Sequence, residues 1–470
     1  MREPLDKPVR LTFDLGTIVV EPHGRGFVAL AELQLVYDQR IKALRGEARR
    51  YRFLVEWLVA NDIPFVDEAV QYPRLTDLTP LKKFAPYEHQ LQALAAWKAA
   101  GMAGVVALPT GSGKTYLAML AMHECRRATL VVVPTLDLLA QWVSVVQQTF
   151  GCAVGMVGGG EFTVEPITIT TYDSAVRHMD RFGNRFGLLI YDECHHLPGE
   201  MYAETARMSL APFRLGLSAT PDRADGGEVL LTTLIGETVF SSRVSSLAGN
   251  ILAPYETMRV AVALTPEEEE RYLAERGIYL SFCRKRGLKM GAGGGWSSFL
   301  QETARSKEGR RAFEAYRIQR SIPLMSEGKF AALAEILRRH VESRILIFTH
   351  VNELAYRISR EYLLPVITHQ TPPRERSEIL QKFGTGEYPA VVTSKVLNEG
   401  VDVPEANVAI VLSGSGSIRE HVQRLGRILR RQEGKQAVLY ELVTQDTHEE
   451  GMSQRRTRHE AYQGKGRRRG

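Results

Sequence analysis

Eight residues, Leu108-Pro109-Thr110-Gly111-Ser112-Gly113-Lys114-Thr115, follow the apolar run GVVA and precede the helical YLAMLAMHE. The order suits a phosphate. Glycines let backbone N–H groups curl round an anion at a helix N-terminus, which already favours negative charge. Thr110, Gly111, Ser112 and Gly113 would form the cradle, Lys114 would reach the β- and γ-phosphates, and Thr115 would ligate Mg²⁺. Leu108 stands where the general pattern has glycine, so its strict form is not met. Without its flanks TGSGKT is a polar turn; with a strand before and a helix after, the phosphate site is the stronger reading.

The run LLIYDE at 188–193 supplies the other half of such a site. Its two carboxylates fall at the C-terminal tip of a buried strand, the edge at which parallel sheets hold ligands. Asp192 could hold Mg²⁺ and Glu193 could orient and deprotonate an attacking water. The two halves imply an ATP-hydrolysing site with Mg²⁺ as cofactor. Cys194, His195 and His196 follow at once, but a structural zinc site needs spaced ligand pairs and a second pair elsewhere. A coupling or packing role is expected of them, with no zinc.

At 423–430 the sequence QRLGRILR sets Arg427 and Arg430 three apart, on one side of a helix. A solvated basic helix is the plain alternative. The stretch has no phosphate loop of its own, so its expected use is across a domain cleft, on the charge developing at the γ-phosphoryl group.

The elements that would carry these residues can be read from texture. From about residue 85, short β-rich runs (GVVAL, TLVVVP, ITITT, FGLLIYDE, FRLGLSAT) alternate with helical stretches, and a second series (RILIFTH, LPVITH, AVVTS, VAIVLS, QAVLYELV) starts near 344. This pattern predicts an α/β chain with two parallel-sheet domains. Residues 10–36 read as a hairpin turning at EPHGRG, 39–60 as a helix with Leu44, Tyr51, Leu54, Val55 and Leu58 on one side, and 61–84 as a linker. Of 470 residues, 44% are hydrophobic and 24% charged, an ordinary globular balance. No apolar run approaches the roughly 18 residues of a membrane span, and no signal peptide opens the chain, so no membrane partner is expected. Cys125, Cys152, Cys194 and Cys283 form no CxxC pair, which argues against a disulfide framework and fits a reducing, cytoplasmic setting.

The order LPTGSGKT, VVVPT, TTYDS, DECH, SAT, IFTH, VTSKVLNEGVDVP, QRLGRILR resembles superfamily 2 helicases and translocases across residues 85–445. PYEHQLQAL, LGLSATPDRADG, LIGETVFSSRV, LNEGVDVPEA, RLGRILR, the N-terminal VYDQRIKALRGEARRYRFLVEWL and the final EEGMSQRRTRHEAY resemble the XPB family of DNA-repair helicases in a short microbial form. The resemblance implies a DNA 3′–5′ helicase or translocase driven by ATP. It implies a damage-recognition-like α+β domain with linker at 1–80, RecA-like domains at 81–263 and 326–450, a helical thumb-like insertion at 264–325 and a basic tail at 451–470. By the same resemblance Gln90 would read adenine, while Ser218 and Thr220 would couple hydrolysis to movement. Thr135, Thr171 and Thr393 would hold backbone phosphates of the tracked strand. Glu399, Gly400 and Asp402 would line the nucleotide cleft with Gln423, Arg427 and Arg430. DNA, duplex, forked or bubble, is the implied partner, with a nuclease or repair factor beside it and a nucleoid location. Another superfamily 2 motor, whether a restriction-type translocase or an RNA helicase, and a non-catalytic scaffold are the competing readings.

One departure stands out. The family carries an Arg-Glu-Asp triplet associated with DNA opening where this chain has Arg223-Ala224-Asp225. The missing glutamate points to weakened strand separation relative to translocation.

The formal net charge of +6 is unevenly spread. Residues 281–320 hold ten basic and three acidic side chains, and 451–470 seven basic and one acidic, so the rest of the chain is net negative. Arg284, Lys285, Arg286 and Lys289 beside the glycine-rich GAGGGW are expected to contact DNA phosphates. The interleaved Phe282, Trp296, Phe299, Phe313 and Tyr316 are expected to pack inward.

Overall fold

A computed structural model of the chain describes residues 8–21, 33–81, 85–219, 227–242, 255–288, 295–394, 406–412 and 437–457. They separate into two compact units, one within 8–242 and the other within 255–457.

In the first unit, strands β1 (Val9–Asp14), β2 (Thr17–Glu21), β3 (Val36–Asp38), β4 (Ala43–Glu47) and β5 (Phe65–Asp67) form a sheet in the order β3-β4-β2-β1-β5. β1 and β2 form a hairpin turning at Leu15 and Gly16, while the turn expected at EPHGRG lies outside the described residues. Asp14 pairs with Thr17, and both turn residues have positive φ, 45° and 82°, the hand that matches strand twist. The helix read over 39–60 is confined to α1 (Tyr51–Ala60). Leu44 lies instead on β4, opposite Val20, because pairing with β2 outweighs the local helical spacing. β5 lies in the stretch read as linker and pairs in parallel with β1, Val9 opposite Phe65. This small sheet is not free of its neighbour: Leu210 joins its core, and Arg52 donates to Gly101 O at 2.6 Å.

Eight strands follow in the same unit: β6 (Ala103–Ala107), β7 (Thr129–Val133), β8 (Gly155–Gly158), β9 (Glu161–Thr163), β10 (Ile167–Thr171), β11 (Leu188–Asp192), β12 (Phe213–Ser218) and β13 (Thr238–Ser241). Their order is β13-β6-β12-β11-β7-β10-β8-β9, parallel throughout except for β8 beside β9. Helices α2 (Glu88–Ala99), α3 (Lys114–Cys125) and α4 (Leu136–Phe150) cover one face; α5 (Tyr172–Phe182), α6 (Glu200–Arg207) and α7 (Glu228–Leu234) cover the other. The strand sequences show why. Val131 and Val133 point to the first face and Leu130 and Val132 to the second, so a continuous apolar run is needed to bury both.

The second unit has one six-stranded parallel sheet, β14 (Tyr255–Val262), β15 (Ile345–Phe348), β16 (Val366–Ile367), β17 (Ala390–Thr393), β18 (Val408–Val411) and β19 (Ala437–Thr444), in the order β14-β19-β18-β15-β17-β16. β14 falls inside the 81–263 region assigned by sequence to the first motor domain. It pairs instead along its whole length with β19, Tyr255 opposite Ala437 and Val262 opposite Thr444, so that boundary is corrected. A pairing so distant in sequence leaves no local periodicity to read. Between β14 and β15 run α8 (Pro266–Lys285), α9 (Gly295–Ala304), α10 (Lys307–Leu324) and α11 (Glu327–Arg339). α12 (Asn352–Tyr362), α13 (Pro373–Thr385) and α14 (His448–Thr457) are the other helices among the described residues of the unit. Tyr279, Phe282 and Phe299 form the buried centre of the α8–α10 cluster, with Phe313 and Tyr316 packed against it, as expected of these aromatics; Trp296 stays 44% exposed at its edge.

Lys329 on α11 is fully buried. Its Nζ donates to Leu412 O at 2.6 Å and to Glu449 Oε1 at 2.8 Å, and Glu449 Oε2 also accepts from Thr444 N. The pair ties α14 to the C-terminal ends of β18 and β19.

Candidate nucleotide site and strand-facing residues

The loop between β6 and α3 has the backbone its sequence requires. Gly111 and Gly113 sit at φ 83° and 84°, where a side chain is strained. A Cβ at Gly113 would also collide with Gln90 Nε2. Ser112 is buried, and its hydroxyl donates to Pro109 O at 2.7 Å, closing the loop on itself. Leu108 N donates to Ser218 O at 2.9 Å, so the loop's first residue is fixed to the end of β12.

Two neighbours brace the loop from α2. Gln90 Nε2 donates to Gly113 O at 3.1 Å and to Ser112 O at 3.3 Å, while its Oε1 accepts from Tyr87 N at 2.9 Å. His89 Nε2 lies 2.9 Å from Ser112 O. Gln90 was expected to read adenine; in this structure its amide hydrogen-bonds at both ends to main chain beside and within the phosphate loop. His89 was not singled out by sequence.

Lys114 opens α3, and its Nζ lies 3.3 Å from Glu193 Oε1, with both side chains about nine-tenths buried. Asp192 ends β11. Its Oδ1 accepts from Glu193 N at 3.0 Å and its Oδ2 from Trp142 Nε1 at 2.9 Å. Tyr172 OH donates to Asp192 O at 3.1 Å. Glu193 has left-handed φ and ψ of 47° and 52°, an unusual backbone for glutamate that turns the chain sharply at the strand tip. Burial, then the adjacent Glu193 carboxylate, push Asp192 above the ordinary carboxylate range. Glu193 thus meets Lys114 at 3.3 Å and His195 at 3.4 Å, and the adjacent Asp192 carboxylate is buried beside it. Excess buried negative charge of this kind is offset by a cation, and carboxylate and hydroxyl oxygens are the donors that Mg²⁺ takes. Thr110 Oγ1, buried without a hydrogen-bond partner among the described residues, and Thr115 at the start of α3 add oxygen donors. The residues present therefore fit a Mg²⁺–nucleotide.

Beyond the site, His195 is buried with Nδ1 3.1 Å from Ser218 Oγ and 3.4 Å from Glu193 Oε2. Thr135 and Thr171 are N-caps: Thr135 Oγ1 accepts from Leu138 N at 3.3 Å, and Thr171 Oγ1 from Ser174 N at 3.2 Å. In the other unit Thr393 is fully buried, and its hydroxyl donates to Ser394 O at 3.1 Å, inside the sheet.

The basic cluster ending α8 is largely paired. Lys285 Nζ meets Glu308 at 2.9 Å, and Arg286 lies 3.7 Å from Glu302 and over the Phe282 ring. Arg284 is exposed, with no ion-pair partner among the described residues. Thr220, Arg223, Ala224, Asp225, Lys289, Glu399, Gly400, Asp402, Gln423, Arg427 and Arg430 lie outside the described residues. Among the described residues no helix is long and apolar enough to cross a membrane.

Trp142 and His89 escaped the sequence reading because each stands in an apolar helical face and reads as core. A buried indole N–H must find an acceptor, which was the available signal for Trp142.

Three family models match the chain. They are the xeroderma pigmentosum group B helicase damage recognition domain over residues 11–69, the res subunit of type III restriction enzymes over 83–223, and the ERCC3/RAD25/XPB C-terminal helicase over 311–467. The DNA 3′-5′ translocase XPB2 of Sulfurisphaera tokodaii is 39% identical over 425 residues, covering 90% of this chain and 95% of the relative. The DNA 3′-5′ helicase XPB of Mycobacterium tuberculosis is 32% identical over 381 residues, 78% of this chain and 62% of the relative. The crystal structure of the Pyrococcus furiosus Hef helicase domain, at 19% identity, matches the fold with a TM-score of 0.52 over 78% of this chain and 97% of that one. These likenesses show two RecA-like domains behind an N-terminal domain, and the chain belongs to the XPB family of superfamily 2 helicases.

Proposed function

We propose that the chain is an ATP-driven motor that moves on, or opens, duplex DNA in DNA repair, with the cradle at 110–115 and the Asp192–Glu193 pair as its hydrolytic site. The observation that carries this reading is the meeting of Lys114 with the adjacent Asp192 and Glu193, two stretches of chain far apart in sequence, at the C-terminal edge of one parallel sheet.

In this reading Lys114 exchanges its carboxylate partner for the β- and γ-phosphates. Glu193, released, aligns a water on the γ-phosphorus and takes its proton as the new P–O bond forms and the bond to the β-phosphate oxygen breaks. Asp192 and Thr115 would hold Mg²⁺, which neutralises phosphate charge. Gln90 and His89 keep the cradle's carbonyls turned away from the anion. The family resemblance assigns Gly400, Asp402, Gln423, Arg427 and Arg430, all outside the described residues, to the same reaction.

Thr135 and Thr171, at helix N-termini, suit phosphate oxygens of a tracked strand, contacts that fix register without reading sequence. Exposed Arg284 suits a further phosphate contact, and Lys289 is assigned the same role from its sequence position alone. The same reading places the chain at the nucleoid beside a nuclease or repair factor. Its test is ATP hydrolysis with duplex DNA, forked DNA, single-stranded DNA or RNA added in turn: DNA should stimulate, and stimulation by RNA alone would overturn it.

A further inference from the structure

Trp142 stands seven residues beyond Thr135 on α4, about 10 Å along the helix axis. Its ring is 1% exposed, and its one polar atom donates to Asp192 Oδ2 at 2.9 Å. The other carboxylate oxygen is held by Glu193 N at 3.0 Å, so the rotation of the whole carboxylate is set by these two donors. One of them belongs to the strand that carries Asp192. The other belongs to a helix whose N-cap is Thr135, the hydroxyl assigned above to a strand phosphate.

We infer that Trp142 is a positioning residue for Asp192, and that α4 thereby joins the strand-gripping end at Thr135 to the metal-binding carboxylate. The second half rests on the DNA-motor reading above. α4 packs as a unit through Leu139, Trp142 and Val146, all buried in the core beneath the sheet, so displacement at its first turn is carried to the indole. An indole N–H has one direction. A tilt of α4 lengthens or shortens its bond to Oδ2 and turns the carboxylate with it. Nucleic acid bound at Thr135 would in this way set how well Asp192 is aimed at Mg²⁺, without touching the nucleotide.

The test uses the full chain. Trp142→Phe keeps an aromatic ring and removes the N–H. Loss of a donor that orients a metal ligand typically costs about 10- to 100-fold in metal affinity. The variant should therefore need at least about tenfold more Mg²⁺ for half-maximal binding of a fluorescent ADP, while binding the same ADP in EDTA like the parent. An unchanged Mg²⁺ requirement overturns the positioning role. A measurement on the unmodified protein needs no variant to fold. Mn²⁺–ADP should broaden away one of the indole N–H resonances of the four tryptophans, that of Trp142, and persistence of all four overturns the proposal. For the coupling half, the ratio of DNA-stimulated to basal hydrolysis should fall several-fold in Trp142→Phe; an equal ratio overturns it. If the parent shows no stimulation by any DNA, the motor reading fails, while the Mg²⁺ and Mn²⁺ measurements still decide the link between Trp142 and Asp192.

Discussion

Lys114 and Glu193 face each other at 3.3 Å, with about nine-tenths of both side chains buried. The lysine is thus held ready beside the very carboxylate that would act as base. The two should fail differently. Lys114→Ala should abolish measurable nucleotide binding and turnover together. Glu193→Gln should bind ATP at least as well as the parent and hydrolyse it about 10²- to 10⁴-fold more slowly, the usual worth of a positioned base. Equilibrium binding and single-turnover hydrolysis separate the two outcomes.

His195 bridges Glu193 and Ser218 at 3.4 and 3.1 Å. Ser218→Ala removes one bond of this bridge, so hydrolysis should slow by no more than about tenfold, the worth of a typical hydrogen bond. Strand displaced per ATP consumed should fall further than hydrolysis does. Equal losses in the two assays would limit Ser218 to supporting the site.

Gly113 and Gly386 share a φ of 84°, but only Gly113 has a neighbour where a Cβ would go. Alanine at either position should cost roughly 1–2 kcal/mol for the left-handed backbone. Only Gly113→Ala should also weaken ATP binding, because it drives Gln90 off the loop carbonyls. Thermal melting and nucleotide titration of the two variants check this.

Lys329 and Glu449 are a buried ion pair, 0% and 5% exposed. Lys329→Met strands the carboxylate and should destabilise the second unit by about 3–5 kcal/mol; removing both charges with Glu449→Leu should restore much of the loss. Chemical denaturation followed by tryptophan fluorescence measures it, since Trp296 reports on that unit.

The strands that carry the site were legible because burial on two faces demands unbroken apolar runs: GVVAL, LLIYDE and FRLGLSAT became β6, β11 and β12. Pairings between distant stretches were not. Leu44 lies on a strand only because Val20 is beside it, and Tyr255 belongs to the second sheet only because Ala437 is there. Candidate site residues with a charge or hydroxyl in a recognisable spacing, Lys114 and Glu193 above all, could be named in the sequence, and the fold brings these two together. Trp142 was harder to name, since in a hydrophobic pattern it reads as core and only the need of its buried N–H for an acceptor sets it apart, and the main-chain bonds of Gln90 depend on a fold that brings its helix to the loop.

Arg223-Ala224-Asp225 yields a prediction from sequence alone. Ala224→Glu should raise strand displacement with little change in DNA-stimulated hydrolysis. Unchanged displacement would mean the triplet does not limit opening in this chain.

The most direct test of a DNA-driven ATPase centred on Lys114, Asp192 and Glu193 is steady-state hydrolysis by the parent and by Glu193→Gln, each with no nucleic acid, duplex DNA, forked DNA or RNA. The parent should be stimulated by DNA and the variant should stay near zero throughout. Hydrolysis by Glu193→Gln at the parent's rate, or a parent stimulated by RNA and not by DNA, would contradict the account.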